Sequence, residues 1–130
     1  MNKIVRDLIP VIIEDSGRTP IFRQLTGEEL NRALAAKLVE ESREALEAVL
    51  DGESIDRVAE ELADLSEVIE ALRVAMVLEN KIDENRKEKG LSKGNFYEGV
   101  YLESIEDTKA DFEAQNELFK NTVVFKAEVK

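Results

Sequence analysis

Two long stretches with the apolar spacing of α-helices follow one another in the chain, and they constrain the fold more than any other feature. In residues 26–50 and again in 54–76, apolar side chains recur every three or four positions. Asp51 and Gly52 lie between the two stretches, a pair typical of a helix end. The sequence therefore predicts two long consecutive helices, packed antiparallel, in an all-α protein.

The amino-acid composition agrees with helix packing. Hydrophobic residues make up 43% of the 130 residues, but aromatic residues make up only 5%. A core built from Leu, Val, Ile and Ala favours packed helices over an aromatic-rich β-sandwich. A chain of this length fits one domain with a modest core.

Shorter elements are predicted around this helix pair. Thr26, with Glu29 three residues later, has the spacing of a capping box, and Ser54 is a candidate N-cap of the second long helix. The first further predictions are a short helix or turn within 5–17, an extended connector at 18–25 and a polar helix over 79–89 that stops at Gly90. A loop followed by a short extended piece is predicted within 91–102, then a helix over 105–120 and a strand-like run at 122–129.

Charge and missing residue types exclude several classes of function. The net charge of -11 repels polyanions, so we expect neither nucleic acid nor an anionic membrane as a partner. The chain has no cysteine and no histidine, which excludes disulfides, an ordinary zinc site and a Ser-His-Asp triad. The N-terminus lacks a signal-peptide pattern and no run reaches transmembrane length, so the expected location is the cytoplasm.

Acidic residues occupy unusual positions relative to the apolar faces. At about 100° per residue, Glu41 falls near the centre of the first apolar face, and Glu44 lies on its flank. Glu61 lies at the edge of the second apolar face, and Asp64 lies further round. An antiparallel pair of helices would bring these four carboxylates together.

Carboxylates that converge at the margin of a core need a cation or a proton. Oxygen ligands of this kind suit a hard cation, and Mg²⁺ usually binds a few carboxylates together with waters and phosphates. The pattern predicts an open Mg²⁺ site. Two alternatives remain at this point: buried ion pairs to Lys or Arg, and a solvated acidic surface.

Three motifs resemble a known enzyme family. K-L-V-E-E-S-R-E at 37–44, followed by E-E-L-A-D-L at 60–65, resembles the E-E-x-x-E and E-x-x-D signature of the all-α NTP pyrophosphatases. That superfamily includes the MazG proteins, the dimeric dUTPases and phosphoribosyl-ATP pyrophosphohydrolase. N-K-I-V-R-D-L-I-P-V-I-I at 2–13 and K-G-N-F-Y-E-G-V-Y-L at 93–102 are similar to the motifs at the start and end of the phosphoribosyl-ATP-pyrophosphohydrolase-like branch. Leu8 and Asn95 depart from the usual Lys and Gly of that branch.

The resemblance implies a fold, a reaction and a set of roles. The fold would be a MazG-like helical bundle over 1–104, with 105–130 as an extension packed on the domain or on a partner subunit. The reaction would convert a nucleoside triphosphate and water to a monophosphate and pyrophosphate, with house-cleaning of non-canonical nucleotides as one purpose. The assembly would be a homodimer or tetramer.

The resemblance also assigns the site residues. Mg²⁺, or Mn²⁺ in its place, would be held by Glu41, Glu44, Glu61 and Asp64. Glu40 would bind a second metal or orient the water, and Lys37 would contact the phosphates during catalysis. Further substrate contacts are predicted for Lys3, Arg6, Lys87 and Lys93. The general base would be a carboxylate or a water activated by the metal.

Two other functions stay open at this stage. One is phosphoribosyl-ATP hydrolysis, which differs only in substrate. The other is a non-catalytic acidic helical module for oligomerisation. Base preference, sugar preference, the phosphorus attacked and the number of metals do not follow from the sequence.

Overall fold

A computed structural model describes residues 2–107, and this part of the chain contains four α-helices and no strand. They are α1 (Ile9–Asp15), α2 (Gly27–Leu50), α3 (Ile55–Ala75) and α4 (Lys81–Lys93). The all-α prediction is therefore confirmed for the described residues. Within the same range, no helix is both long enough and apolar enough to cross a bilayer. The strand-like run predicted at 122–129, and nearly all of the helix predicted over 105–120, lie outside the described residues.

The chain divides into two units between Lys93 and Gly94, whereas the predicted division lies at residue 104. The first unit holds all four helices. Residues 94–107 contain neither helix nor strand, so the short extended piece predicted near the C-terminus is not a strand there. The alternating Phe96, Val100 and Leu102 are all highly exposed. Alternation alone does not form a sheet, because a strand needs a hydrogen-bonded neighbour.

Helices α2 and α3 pack against each other and form the centre of the first unit. Four residues connect them, so two helices that pack along their lengths must run antiparallel, as predicted. Gly52 takes a left-handed φ of +65°, which favours glycine and ends α2. Ser54 then caps α3, since its hydroxyl accepts a hydrogen bond from the backbone N–H of Arg57 at 3.2 Å.

The start of α2 differs from the predicted capping box. Thr26 is the N-cap residue, but its side chain makes no cap hydrogen bond. Glu29 instead accepts hydrogen bonds from both terminal guanidinium nitrogens of Arg23, at 2.9 and 2.7 Å. These hydrogen bonds lower the pKa of Glu29. A bidentate ion pair binds a carboxylate more strongly than a neutral amide does, so Arg23 takes the side chain away from the cap.

The polar helix α4 continues through Gly90 to Lys93, so the predicted stop at Gly90 is wrong. One glycine inside a helix costs only about 1 kcal/mol relative to alanine, which the surrounding turns can offset. Gly94 has a left-handed φ of +80° and directly follows the last helical residue.

Few apolar side chains are fully buried in the described part of the chain. They are Leu34, Ala45, Ala48 and Val68. The phase of Val68 shows which side of α3 faces α2. Only part of the predicted apolar stripe of α3 is buried, because Leu62 and Ile69 remain 47% and 40% exposed.

The two helix starts give a test of local capping. Ser54→Ala should lower the free energy of unfolding by about 1 kcal/mol, because the N–H of Arg57 loses its acceptor. Thr26→Ala is the matched control and should cost clearly less, since its hydroxyl caps nothing. Urea denaturation followed by circular dichroism measures both values. Equal losses in the two variants would contradict this account of the caps.

Candidate metal centre

Two glutamates occupy core positions in the packed helix pair. Glu41 is only 6% exposed and Glu61 only 2% exposed. Glu41 lies four residues before the buried Ala45, and Glu61 lies seven residues before the buried Val68. These spacings place each side chain on the face that its helix turns toward the other. The predicted core position of Glu41 is confirmed, and Glu61 is deeper than its predicted place at the edge of the stripe.

Three carboxylates from the two helices converge. Glu41, Glu61 and Asp64 each offer one carboxylate oxygen, and these oxygens lie within 4.8 Å of one another. We call these residues the three-acid cluster. Asp64 is half-buried, one turn beyond Glu61 on α3. Glu44 is half-buried on α2 and does not belong to the cluster. The structure thus brings together three of the four predicted metal ligands.

Two oxygens in this cluster have no partner. Glu41 Oε2 and Glu61 Oε2 are buried, and neither accepts a hydrogen bond from any described residue. A buried carboxylate oxygen without a donor or a cation carries a substantial desolvation cost. The donor set consists only of carboxylate oxygens, which suits a hard divalent cation. The cluster therefore fits a metal ion in ligand type, and a cation would satisfy the two unpartnered oxygens.

Each acid of the cluster also has a basic neighbour, which for Glu41 and Glu61 contacts Oε1 and not the unpartnered Oε2. The pairs are Glu41–Lys37 at 3.2 Å, Glu61–Arg57 at 2.5 Å and Asp64–Arg6 at 2.7 Å. The ion-pair alternative is thus present at one oxygen of each acid. The side chains of Arg57 and Arg6 are more than half exposed, so each guanidinium keeps contact with water while it pairs with its acid.

Formal charges balance within the cluster, where three acids pair with the three bases Lys37, Arg57 and Arg6. Arg57 also pairs with Glu53 and Glu60, two exposed glutamates that water can solvate. The case for a cation therefore depends on the two buried oxygens that none of these bases reaches.

The electrostatic field of the acids acts on the nearby bases. Burial of the Lys37 ammonium lowers its pKa, but the hydrogen bond to Glu41 and the negative charges of Glu40 and Glu41 outweigh burial and raise it. The hydrogen bond to Asp64 raises the pKa of Arg6, and the charges of Asp64, Glu67 and Glu41 add to this effect. Both bases are therefore firmly cationic at neutral pH.

The N-terminal segment, residues 2–8, reaches both long helices through ion pairs. Lys3 lies 3.6 Å from Glu40 on α2, and Arg6 pairs with Asp64 on α3. Glu40 also lies 3.4 Å from Lys37. Four predicted site residues, Lys3, Arg6, Lys37 and Glu40, therefore lie at or beside the three-acid cluster.

The two remaining predicted substrate contacts are on α4. Lys87 lines a shallow depression with Glu84, Glu88 and Leu91, all on the same helix face. Lys93 is the last residue of α4. No ion pair joins Lys87 to the cluster within residues 2–107. Sequence reasoning missed Arg57, although its position one helical turn before Glu61 was a usable signal.

The fold and the site define the described part of this chain as an all-helical protein with an acidic cluster able to hold a metal ion. No protein-family model matches the sequence, and no solved structure matches it. A protein from Mycolicibacterium smegmatis (strain ATCC 700084 / mc(2)155), named only as uncharacterized, is 52% identical over 44 residues. The match covers 34% of this chain and 45% of that protein, so this chain spans less than half of its relative.

Metal binding at the cluster can be tested without any substrate. Mg²⁺ or Mn²⁺ at about 100 times its Kd should stabilise the protein by about 2.7 kcal/mol. Glu61→Gln should lose this stabilisation, and it should melt at a higher temperature than wild type in EDTA because a buried charge is gone. Thermal denaturation with and without metal measures both effects.

The control for this test is Glu47→Gln, which removes an exposed carboxylate of α2 that lies outside the cluster. It should keep the metal-dependent shift of the wild type. A wild-type shift in Glu61→Gln, or no shift in the wild type itself, would contradict a metal site at the cluster.

Proposed function

We propose that this chain is a divalent-metal-dependent nucleoside triphosphate pyrophosphohydrolase, which converts a nucleoside triphosphate and water to a nucleoside monophosphate and pyrophosphate. One observation carries the proposal. Carboxylates from two packed helices converge within 4.8 Å, and two of their buried oxygens have no partner. A site of this kind serves chemistry on phosphates, whose negative charge must be balanced before water can attack.

The metal that suits the cluster is Mg²⁺, with Mn²⁺ as a substitute. Glu41, Glu61 and Asp64 would hold it, and Glu44, one turn beyond Glu41 on α2, stays a predicted fourth ligand. When bound, the metal would balance negative charge on phosphate oxygens and stabilise the charge of the transition state. Hard oxygen ligands favour these cations over softer metals.

Basic residues beside the cluster would bind the rest of the phosphate charge. Lys37, Arg6 and Lys3 already lie within ion-pair distance of acids at the site. A triphosphate gives them stronger acceptors than shared carboxylates do. Arg6 is suited to this exchange because its planar guanidinium can donate two parallel hydrogen bonds to a phosphate.

Glu40 is the residue of this chain best placed to handle the attacking water. Lys3 and Lys37 both lie near its Oε1, at 3.6 and 3.4 Å, and about a third of the side chain is exposed. A carboxylate fixed in this way can accept a hydrogen bond from water and orient it. Because the chain has no histidine, a carboxylate is the natural side-chain base.

The motif resemblance supports the same function. The acids of the 37–44 and 60–65 motifs include all three members of the cluster. The N-terminal motif supplies Lys3 and Arg6, which form ion pairs with Glu40 and Asp64. Most of the residues that the resemblance assigns to one active site thus lie at or beside the cluster, whereas the predicted contacts Lys87 and Lys93 are on α4. Phosphoribosyl-ATP remains an alternative substrate for the same reaction, and non-canonical nucleotides remain another.

The catalytic test is the loss of pyrophosphate release. Glu41→Gln and Asp64→Asn should each lower turnover of a nucleotide panel in Mg²⁺ by at least about a hundredfold, because a metal ligand is lost. Far-ultraviolet circular dichroism should show unchanged helicity, and Glu47→Gln should keep wild-type turnover. Retained hydrolysis in both ligand variants, or release of single phosphates in place of pyrophosphate, would contradict the proposal.

A second candidate function, a helical oligomerisation module, is favoured by exposed apolar side chains on the same helix pair. On α3 these residues recur every seven positions, at Ile55, Leu62 and Ile69, and the C-cap residue Met76 continues the row, while on α2 they include Val39, Leu46 and Leu50. Apolar stripes of this kind are typical of helix bundles formed by several chains. We expect a homodimer or tetramer, either as a module or as the assembled enzyme.

Charge on this stripe should separate the subunits. Leu62→Glu with Ile69→Glu should shift the protein from an oligomer to a monomer, because two charges cannot be buried against an apolar partner. Light scattering after size-exclusion chromatography measures the mass. Ala63→Glu introduces the same charge at an exposed position about 100° round α3 from Leu62 and should leave the oligomer intact. A monomeric wild type at all concentrations would make the oligomer prediction wrong.

Turnover separates the two candidates. The module predicts an oligomer that hydrolyses no nucleotide in Mg²⁺, whereas the enzyme predicts metal-dependent hydrolysis that the cluster variants lose.

A further inference from the structure

A groove lies next to the three-acid cluster, between the N-terminal segment and α2. Residues 2–4 form one wall, and the other wall consists of Ala33, Ala36, Lys37 and Glu40. Its volume is about 290 Å³, just below the range of about 300–1,000 Å³ for small-molecule pockets. None of the functional arguments for the cluster requires this space.

Polar and apolar parts of the groove are separated along α2. Lys37 and Glu40 lie at the end that meets the cluster, since Lys37 also pairs with Glu41. Ala33 and Ala36 precede them by one helical turn, so the groove leads away from the cluster. Eight residues of helix separate Ala33 from Glu41, which corresponds to about 12 Å.

We propose that this groove binds the nucleoside portion of a nucleotide whose phosphates lie at the three-acid cluster. The inference rests on the proposed function and adds the place and direction of the substrate. The cationic end meets the phosphates at Lys37, and the apolar end takes the ring.

Side chains that line the groove suit a planar ring. Ala33 and Ala36 give a smooth apolar surface on α2, and the half-buried Ile4 adds apolar surface from the N-terminal segment. The amide of Asn2 supplies a donor and an acceptor for the polar edge of a base. An all-phosphate ligand would leave this apolar end unfilled, and for that reason we assign it to the nucleoside.

Narrowing the apolar end tests the assignment. Ala36→Leu fills the groove, and Ala35→Leu makes the same change at the neighbouring exposed position of α2, outside the groove. Both substitutions keep a strong helix former. Calorimetry in Mg²⁺ then compares the α,β-methylene analogues of ATP, GTP, CTP and UTP with inorganic triphosphate, which has no nucleoside.

The proposal expects at least one analogue to bind wild type more tightly than inorganic triphosphate does. Ala36→Leu should weaken that analogue about tenfold and leave inorganic triphosphate unchanged, while Ala35→Leu should change neither. The assignment would be overturned if Ala36→Leu bound the analogue as tightly as wild type does. It would also be overturned if Ala36→Leu bound the analogue and inorganic triphosphate more weakly by the same factor.

The results also separate this inference from the proposed function. If triphosphate binds with metal but no analogue binds better, the groove assignment alone fails. If neither the analogues nor triphosphate bind in Mg²⁺, the proposed function fails and the groove assignment is overturned with it.

Discussion

Burial of two carboxylates between packed helices is the constraint on which the rest of this structure depends. Glu41 and Glu61 take positions in the α2–α3 interface where a leucine would normally pack. The fully buried apolar residues beside them are few and mostly small. Two desolvated charges therefore destabilise a core of this size substantially, and the free energy of folding of the helix pair depends on what neutralises them.

Protein side chains supply only part of that neutralisation. Lys37 and Arg57 come from the same helix as the acid each one pairs with, and Arg57 is shared with two other glutamates. Arg6 reaches Asp64 from the N-terminal segment. The inner oxygens of Glu41 and Glu61 face none of these bases. A bound dication would therefore stabilise the fold and prepare the site together, a coupling common in metalloproteins.

Local signals in the sequence predicted much of this arrangement. The antiparallel helix pair followed from two apolar repeats and a short polar connection, and the cap at Ser54 followed from residue type. The burial of Glu41 could be predicted from the positions of Leu34 and Ala45, because the α-helix fixes the angle between successive residues and places all three on one face. These features depend on neighbours along the chain, which a sequence displays directly.

Other features depend on three-dimensional packing and could not be predicted in the same way. The depth of Glu61 depends on how α3 is rotated about its axis against α2, and the apolar spacing of α3 alone does not fix that rotation. Glu29 leaves the cap because Arg23 competes for it. The helix α4 continues through Gly90 because helix formation by the neighbouring residues offsets the cost of one glycine. Whether Glu44 completes the metal site depends on side-chain reach, which spacing alone does not give.

The most direct test is to locate a bound cation. Crystals grown with Mn²⁺ and measured above the manganese absorption edge give an anomalous difference map that is specific for the metal. The account predicts a peak at bonding distance from oxygens of Glu41, Glu61 and Asp64. A peak bound by other residues, or none at this cluster under saturating Mn²⁺, would contradict it.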